Sequence, residues 1–88
     1  MELSTHKRGA INELVACTWL LKQGYQVFRN VTPDGRIDII SEKDGVLTKI
    51  DVKTQINKYG KQQLEDGISI ILIDKDLNCS WIAAANRV

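Results

Sequence analysis

Residues 36–55 read Arg-Ile-Asp-Ile-Ile-Ser-Glu-Lys-Asp-Gly-Val-Leu-Thr-Lys-Ile-Asp-Val-Lys-Thr-Gln, and this stretch decides the fold. Two runs rich in β-branched residues flank the dipeptide Asp44-Gly45, a pair that favours a two-residue turn between antiparallel strands. Such a turn fixes the register, so that Ile39 faces Ile50 and Asp38 faces Asp51. The sequence therefore predicts a β-hairpin centred on Asp44-Gly45.

The two faces of this hairpin differ in chemistry, because successive side chains of a strand point to opposite sides of the sheet. The predicted apolar face consists of Ile37, Ile39, Ile50 and Val52. The opposite face gathers Asp38, Asp51 and Lys53. We therefore expect the apolar face to pack on the core and the charged face to carry any chemistry.

The acidic face of the hairpin points to function. Directly opposed residues have Cβ atoms roughly 5 Å apart, and like charges at that distance destabilise a sheet. A divalent cation between Asp38 and Asp51 would turn the repulsion into coordination, and Lys53 can reach the same point. Two carboxylates and a lysine together favour metal-assisted phosphodiester chemistry. The alternative is a solvated face with an incidental charge pair.

Length and composition predict one domain over residues 1–88. With 43% hydrophobic and 26% charged residues the chain has an ordinary globular composition, which argues against disorder. Cys17 and Cys79 lie in apolar patterns without metal-ligand spacing and are expected to be buried thiols. The sequence has no transmembrane run and no signal-peptide core. We expect a cytoplasmic protein, cellular or phage-encoded, without a membrane partner.

Charge leaves a nucleic-acid partner open. The net charge of +1 neither requires nor excludes one, so the placement of the cations matters more. The cations outside the apolar runs are His6, Lys7, Arg8, Arg29, Arg36, Lys58 and Lys61. They are candidates for phosphate contacts, and the alternative for each of them is ordinary solvation.

The N-terminal segment, residues 4–23, is predicted to be a helix capped by Ser4 or Thr5 and followed by Gly24. The stripe predicted to cover the sheet consists of Ile11, Leu14, Val15, Thr18 and Trp19, with Leu21 at its edge. Gly9 costs a helix about 1 kcal/mol relative to alanine, unless it permits close approach to the sheet or a ligand. Glu13 lies beside the stripe, and its simplest interpretation is an exposed helix carboxylate.

The remaining segments complete an α/β fold. A strand over 25–31, with Val27 and Phe28 at its centre, leads through a turn at 32–35 into the hairpin. The polar stretch 56–67 is predicted to hold a loop and a short helical turn. The apolar run 68–74 suits a strand covered on both faces, and 79–84 forms a last strand. We thus expect one helix on a mixed sheet of about five strands.

Three short motifs in order resemble those of the PD-(D/E)xK nuclease superfamily, whose core is that of restriction endonucleases. They are Gly9-Ala-Ile-Asn-Glu13, Gly35-Arg-Ile-Asp38 and Asp51-Val-Lys53-Thr54. The nearest resemblance is to small homing-endonuclease and Holliday-junction-resolvase-like members, and it covers nearly the whole chain. No one motif is specific, so the resemblance depends on the three in order with suitable spacing and element types.

The resemblance implies a metal site. Asp38 would be the central ligand and Asp51 the second, with the backbone carbonyl of Val52 completing the protein's share. Glu13 would orient a metal-bound water or join the metal shell. The implied cofactor is Mg²⁺, with Mn²⁺ as substitute.

The resemblance also assigns catalytic work to Lys53, which would position or activate the attacking water or stabilise the transition state. Gln55 follows on the same face of the strand and is predicted to contact the scissile phosphate. The Pro33-Asp34 pair departs from the family pattern, because Asp34 precedes Asp38 by four residues and falls in the turn. We also expect no added region for base readout, which speaks against sequence-specific cleavage.

The leading hypothesis is a Mg²⁺-dependent endonuclease that hydrolyses double-stranded or branched DNA as a homodimer or homotetramer. One alternative is a nucleic-acid-binding module on the same fold without turnover. Another is a structural subunit of a larger assembly.

Overall fold

The computed structural model describes residues 4–32, 35, 37–54 and 67–82. These residues form the helix α1 (Thr5–Lys22) and the strands β1 (Gln26–Arg29), β2 (Ile39–Lys43), β3 (Val46–Thr54), β4 (Ile68–Ile73) and β5 (Cys79–Ile82). The order of elements and the α/β class agree with the prediction. Residues 55–66 lie outside the described part of the chain. They include Gln55 and nearly all of the segment 56–67 that was predicted to hold a loop and a helical turn.

The sheet has the order β1-β2-β3-β4-β5. Neighbouring strands are antiparallel except β3 and β4, which run parallel. The helix and the mixed five-stranded sheet confirm the predicted restriction-endonuclease-like core.

The hairpin of β2 and β3 has the predicted register. Ile39 pairs with Ile50 and Lys43 with Val46. The turn residues Asp44 and Gly45 have φ angles of 55° and 81°, the positive values that a two-residue type I′ turn requires. The dipeptide thus specifies the turn, and the turn specifies which residues face each other.

The ends of α1 also follow local sequence rules. The Ser4 hydroxyl oxygen accepts a hydrogen bond from the Lys7 amide at 3.1 Å, which satisfies one of the free N–H groups of the first turn. Gln23 is the C-cap, and Gly24 follows with a φ of 91°, a conformation that glycine adopts without steric cost. The helix therefore starts and stops within a residue of the predicted bounds.

The face that α1 buries differs from the predicted stripe. The buried residues of the helix are Asn12, Ala16, Cys17 and Leu20. The exposed members of the predicted stripe are Ile11, Leu14, Thr18 and Leu21, so the prediction that they cover the sheet was wrong. Val15 and Trp19 pack only against the border of the core. Ala16, Cys17 and Leu20 belong to the core cluster with the strand isoleucines, so this is the face of α1 that contacts the sheet.

The core lies between α1 and the middle of the sheet, where Ile39, Ile50, Ile71 and Ile73 are fully buried. Ile70, whose side chain points to the opposite face from Ile71, is also buried, which confirms that β4 is covered on both faces. β1 is shorter than predicted, and Phe28 is exposed because β1 is an edge strand.

Candidate active site

Asp38 and Asp51 lie next to each other at the open end of the hairpin, where their carboxyl groups share a hydrogen bond. The Asp38 amide donates to the Ile50 carbonyl at 2.9 Å, which ties Asp38 to β3 just before β2 begins. The Asp38 carboxylate in turn accepts a hydrogen bond from the Val52 amide at 2.8 Å. The backbone of β3 therefore fixes the orientation of the Asp38 side chain.

The surroundings of Asp38 disturb the ionisation of its carboxyl group. Burial is the main cause that raises the pKa of Asp38 to about 6, while the bond from the Val52 amide acts against it. A hydrogen bond with the Asp51 carboxyl group and the charges of Asp51 and Glu13 raise the pKa further. The charges of Asp51 and Glu13 thus act against ionisation of Asp38, which indicates a site with an excess of negative charge.

Lys53 supplies a positive charge to this pair. Its Nζ atom lies 3.4 Å from a carboxylate oxygen of Asp51, and its side chain is 43% exposed whereas that of Asp51 is 11% exposed. The ammonium group is therefore anchored at the acidic pair and open to solvent. A substrate that approaches the carboxylates from solvent meets Lys53 as well.

Glu13 projects from α1 towards the same region but has a partner of its own. Its carboxylate lies 3.3 Å from an Arg29 terminal nitrogen in an ion pair at the end of β1. Among the described residues, no group of three or more His, Cys, Asp or Glu side chains is assembled to hold a metal ion. The structure thus brings Asp38 and Asp51 together, with Glu13 near enough to influence Asp38 electrostatically.

The donor set suits a hard divalent cation. Two carboxylates on opposed strands, one of them held by a backbone amide, offer the oxygen ligands that Mg²⁺ selects. The roles of Glu13 and of the Val52 carbonyl in a metal shell remain predictions. Gln55 lies outside the described residues, so its predicted phosphate contact stays a prediction as well.

Arg29 and Asn30 are site-lining residues whose position the sequence did not predict. Both line a cleft of about 450 Å³ that also includes Glu13 and Asp38. The Asn30 side chain donates to the Ile37 carbonyl at 2.8 Å, which ties the end of β1 to the segment before β2. Arg29 was among the candidate phosphate cations, but its contact with Glu13 depends on tertiary structure that no local pattern reveals.

The model of the PD-(D/E)XK endonuclease family matches residues 3–67, which include all three motifs. The chain belongs to this family, and the resemblance stated from the motifs is confirmed.

Its curated relatives are bacterial proteins named UPF0102. One from Caulobacter sp. strain K31 is 40% identical over 45 residues, which are 49% of this chain and 32% of that protein. One from Rhizobium leguminosarum is 33% identical over 67 residues, 74% and 52% of the two chains. One from Campylobacter jejuni strain RM1221 is 39% identical over 61 residues, 67% and 54%. The chain thus spans about a third to a half of the relatives it matches.

Among solved structures, the bacterial homing endonuclease I-Ssp6803I superposes with a TM-score of 0.66 at 19% sequence identity. The match covers 85% of this chain and 65% of that protein. The similarity shows that the two share a fold. Separately, no helix in the described part of the chain is long and apolar enough to cross a bilayer.

Proposed function

We propose that this protein is a Mg²⁺-dependent DNA endonuclease, in which Mn²⁺ can substitute. The observation that carries the proposal is the pair of adjacent carboxyl groups, Asp38 and Asp51, with the Lys53 ammonium group 3.4 Å from Asp51. Membership in an endonuclease family supports the same reaction class. The proposed reaction is hydrolysis of a phosphodiester bond in double-stranded or branched DNA.

Asp38 and Asp51 would hold the metal ion, joined by the Val52 carbonyl. A bound divalent cation polarises a phosphoryl oxygen and lowers the pKa of a water molecule, which makes hydrolysis possible at neutral pH. The hydrogen bond from the Val52 amide keeps the Asp38 carboxylate aimed at the site in the free protein. Little reorganisation is then needed when substrate arrives.

Lys53 and Glu13 have complementary parts in the proposal. Lys53 holds a positive charge where negative charge develops on the phosphorus-bound oxygens, and its exposure leaves it accessible to the phosphate. Glu13 would orient the metal-bound water from the α1 side of the site or join the metal shell. Gln55 would contact the scissile phosphate beside Lys53.

A plasmid-nicking assay tests the proposal. Supercoiled, linear and branched DNA are incubated with the protein in Mg²⁺, in Mn²⁺ and in EDTA, and cleavage is expected only with a metal ion. Asp38→Asn should abolish cleavage, whereas Asp76→Asn, an equal change at an exposed turn, should not. Metal-independent cleavage, or an active Asp38→Asn variant, contradicts the site. Tight binding of DNA without any cleavage would instead indicate a binding module.

The proposal includes a homodimer, with a tetramer as second choice. Cutting both strands of a duplex requires two sites, most simply related by a two-fold axis. The exposed side chains of Leu14, Leu77 and Trp81 offer apolar surface near the helix and the last strand. Light scattering decides the question, since a strict 9.9 kDa monomer, free and on DNA, would leave only nicking or binding.

A cytoplasmic location also belongs to the proposal. Cys17 and Cys79 are free thiols, which fits a reducing compartment. Fractionation of the native host, followed by immunodetection of the protein, tests this directly.

A further inference from the structure

The cleft beside Asp38 extends beyond the residues that the proposed chemistry uses. One wall is the start of α1, including Gly9 and Ala10, and the other is the end of β1, including Arg29 and Asn30. Its volume of about 450 Å³ is ample for a group the size of a phosphodiester. The cleft therefore connects a proposed metal ligand to a surface with a cation of its own.

Gly9 is the residue of this cleft that the fold does not explain. A glycine within a helix is less stable than alanine, and Gly9 does not have the positive φ that would require glycine. Among the residues that the structure describes, a Cβ built on Gly9 meets no atom within 4 Å outside the helix backbone, so the described sheet does not require a glycine here. The missing side chain leaves open space in the cleft, where a ligand backbone can approach α1 closely.

Arg29 gives the opposite wall its charge. Its side chain is 48% exposed, and its contact with Glu13 uses the terminal nitrogen Nη2. A guanidinium group carries five N–H donors in a planar fork that matches phosphate oxygens. Within the described residues Glu13 is the side-chain partner of Arg29, so donors remain for a ligand.

The position of Arg29 is fixed relative to the proposed metal site. Arg29 pairs with Ile39 in the β1–β2 ladder, and the next amide, of Asn30, donates to the Asp38 carbonyl at 3.0 Å. The guanidinium group is therefore mounted on the same rigid frame as Asp38. A phosphate held by Arg29 would set the position of the DNA strand relative to the carboxylates.

We propose that this cleft is a subsite for a DNA backbone phosphate next to the one that is cut. Arg29 is its cation, and Gly9 is the point where the strand passes close to α1. The inference rests on the proposed nuclease function and adds the residues along which the DNA strand would lie. Contacts of this kind position a strand without reading its sequence, since they address only the backbone.

Arg29→Gln tests the cation. Affinity for a fluorescent duplex is measured in Ca²⁺ across a range of salt concentrations. The variant should bind roughly tenfold more weakly, the effect of losing one charge-assisted hydrogen bond. The slope of log affinity against log salt should shrink by about one. Arg29→Lys should retain the slope, and Lys75→Gln, a charge change at an exposed turn outside the cleft lining, should retain wild-type affinity.

Gly9→Ala tests the close approach, because stability and binding should change in opposite directions. The variant should melt a few degrees higher, since alanine favours the helix. It should bind the duplex at least roughly fivefold more weakly, since the new methyl group occupies the strand's path. Thr18→Ala, half a turn around the helix from the cleft, should also raise the melting temperature but leave binding unchanged.

The outcomes separate this inference from the proposed function. If the wild-type protein cuts DNA but Arg29→Gln and Gly9→Ala bind it with wild-type affinity and salt slope, the subsite is wrong and the nuclease stands. Slower turnover of Arg29→Gln at unchanged affinity would also overturn the subsite, because Arg29 would then act only on Glu13. A wild-type protein that neither binds nor cuts DNA overturns both proposals.

Discussion

The side-chain amide of Asn12 donates a hydrogen bond to the hydroxyl oxygen of Thr54, at a nitrogen–oxygen distance of 2.6 Å. Asn12 is only 3% exposed and lies on the face of α1 that packs on the sheet. Glu13 follows Asn12 in the helix, and Lys53 precedes Thr54 in β3. One buried hydrogen bond therefore fixes the helix side of the candidate site relative to the strand side.

Thr54→Val should separate stability from positioning. Valine keeps the shape of threonine but leaves the buried Asn12 amide without its acceptor, which costs about 1–3 kcal/mol of the free energy of unfolding. We expect turnover to fall while the KM for DNA changes little, because Glu13 and Lys53 lose their fixed spacing. Thr54→Ser retains the hydroxyl group and should rescue turnover. Equal kcat values for Thr54→Val and wild type, measured well below the melting temperature, would show that the bond is only structural.

The adjacent carboxyl groups of Asp38 and Asp51 predict a metal-linked change in stability. Mg²⁺ at a hundred times its dissociation constant should add about 2.7 kcal/mol to the free energy of unfolding by mass action. Asp38→Asn and Asp51→Asn should lose this gain while the metal-free variants fold normally. Differential scanning fluorimetry with and without Mg²⁺ measures it, with Asp76→Asn as the control that should respond like wild type. A wild-type melting temperature unmoved by saturating Mg²⁺ or Mn²⁺ counts against the site.

The raised pKa of Asp38 predicts how the metal-free protein responds to pH. The folded chain raises this pKa from 3.8 to about 6, so folding favours the protonated carboxyl group. The contribution of Asp38 to stability is therefore fully present below the unfolded-state pKa and is lost as pH rises from about 4 to about 6. Melting temperatures of wild type and Asp38→Asn in EDTA across this range check it, because the wild type should lose stability relative to the variant as pH rises. A wild type that gains stability relative to Asp38→Asn over the same range would contradict the prediction.

The hairpin and its acidic face were predictable because they depend on local rules. The dipeptide Asp44-Gly45 accepts two positive φ angles and so sets the turn. The alternation of side chains along each strand then decides which residues share a face. The pairing of Ile39 with Ile50 then brings Asp38 and Asp51 together without any long-range information.

The orientation of α1 was not predictable in the same way. Helical periodicity identifies which residues share a face, but Ala16 and Leu20 share one just as Ile11 and Leu14 do. The choice between faces depends on tertiary packing against the strands, which buries Ala16 and Leu20 and leaves Ile11 and Leu14 exposed. The ion pair of Arg29 with Glu13 was not predicted for a related reason, since the two residues are 16 positions apart and lie on different elements.

Lys53 is predicted to act on chemistry more than on binding. Its ammonium group lies at the acidic pair, where charge develops as water attacks, and a single donor to such a transition state contributes roughly two to three orders of magnitude in rate. Lys53→Ala should lose about that much turnover while its affinity for DNA in Ca²⁺ changes little. Single-turnover cleavage and fluorescence anisotropy measure the two quantities. A large loss of affinity with normal turnover would make Lys53 a phosphate anchor instead.

Glu13→Gln tests whether the helix carboxylate takes part. Glutamine can still accept a hydrogen bond from Arg29, so the variant removes the charge of Glu13 while preserving the contact that holds it. Turnover should fall by roughly 10- to 100-fold, the usual effect of losing a group that orients a metal site. DNA affinity in EDTA should rise, because one negative charge leaves the cleft that Glu13 shares with Asp38. If Glu13→Gln folds and responds to metal like wild type and also has wild-type turnover, Glu13 takes no part in the reaction and is an exposed helix carboxylate.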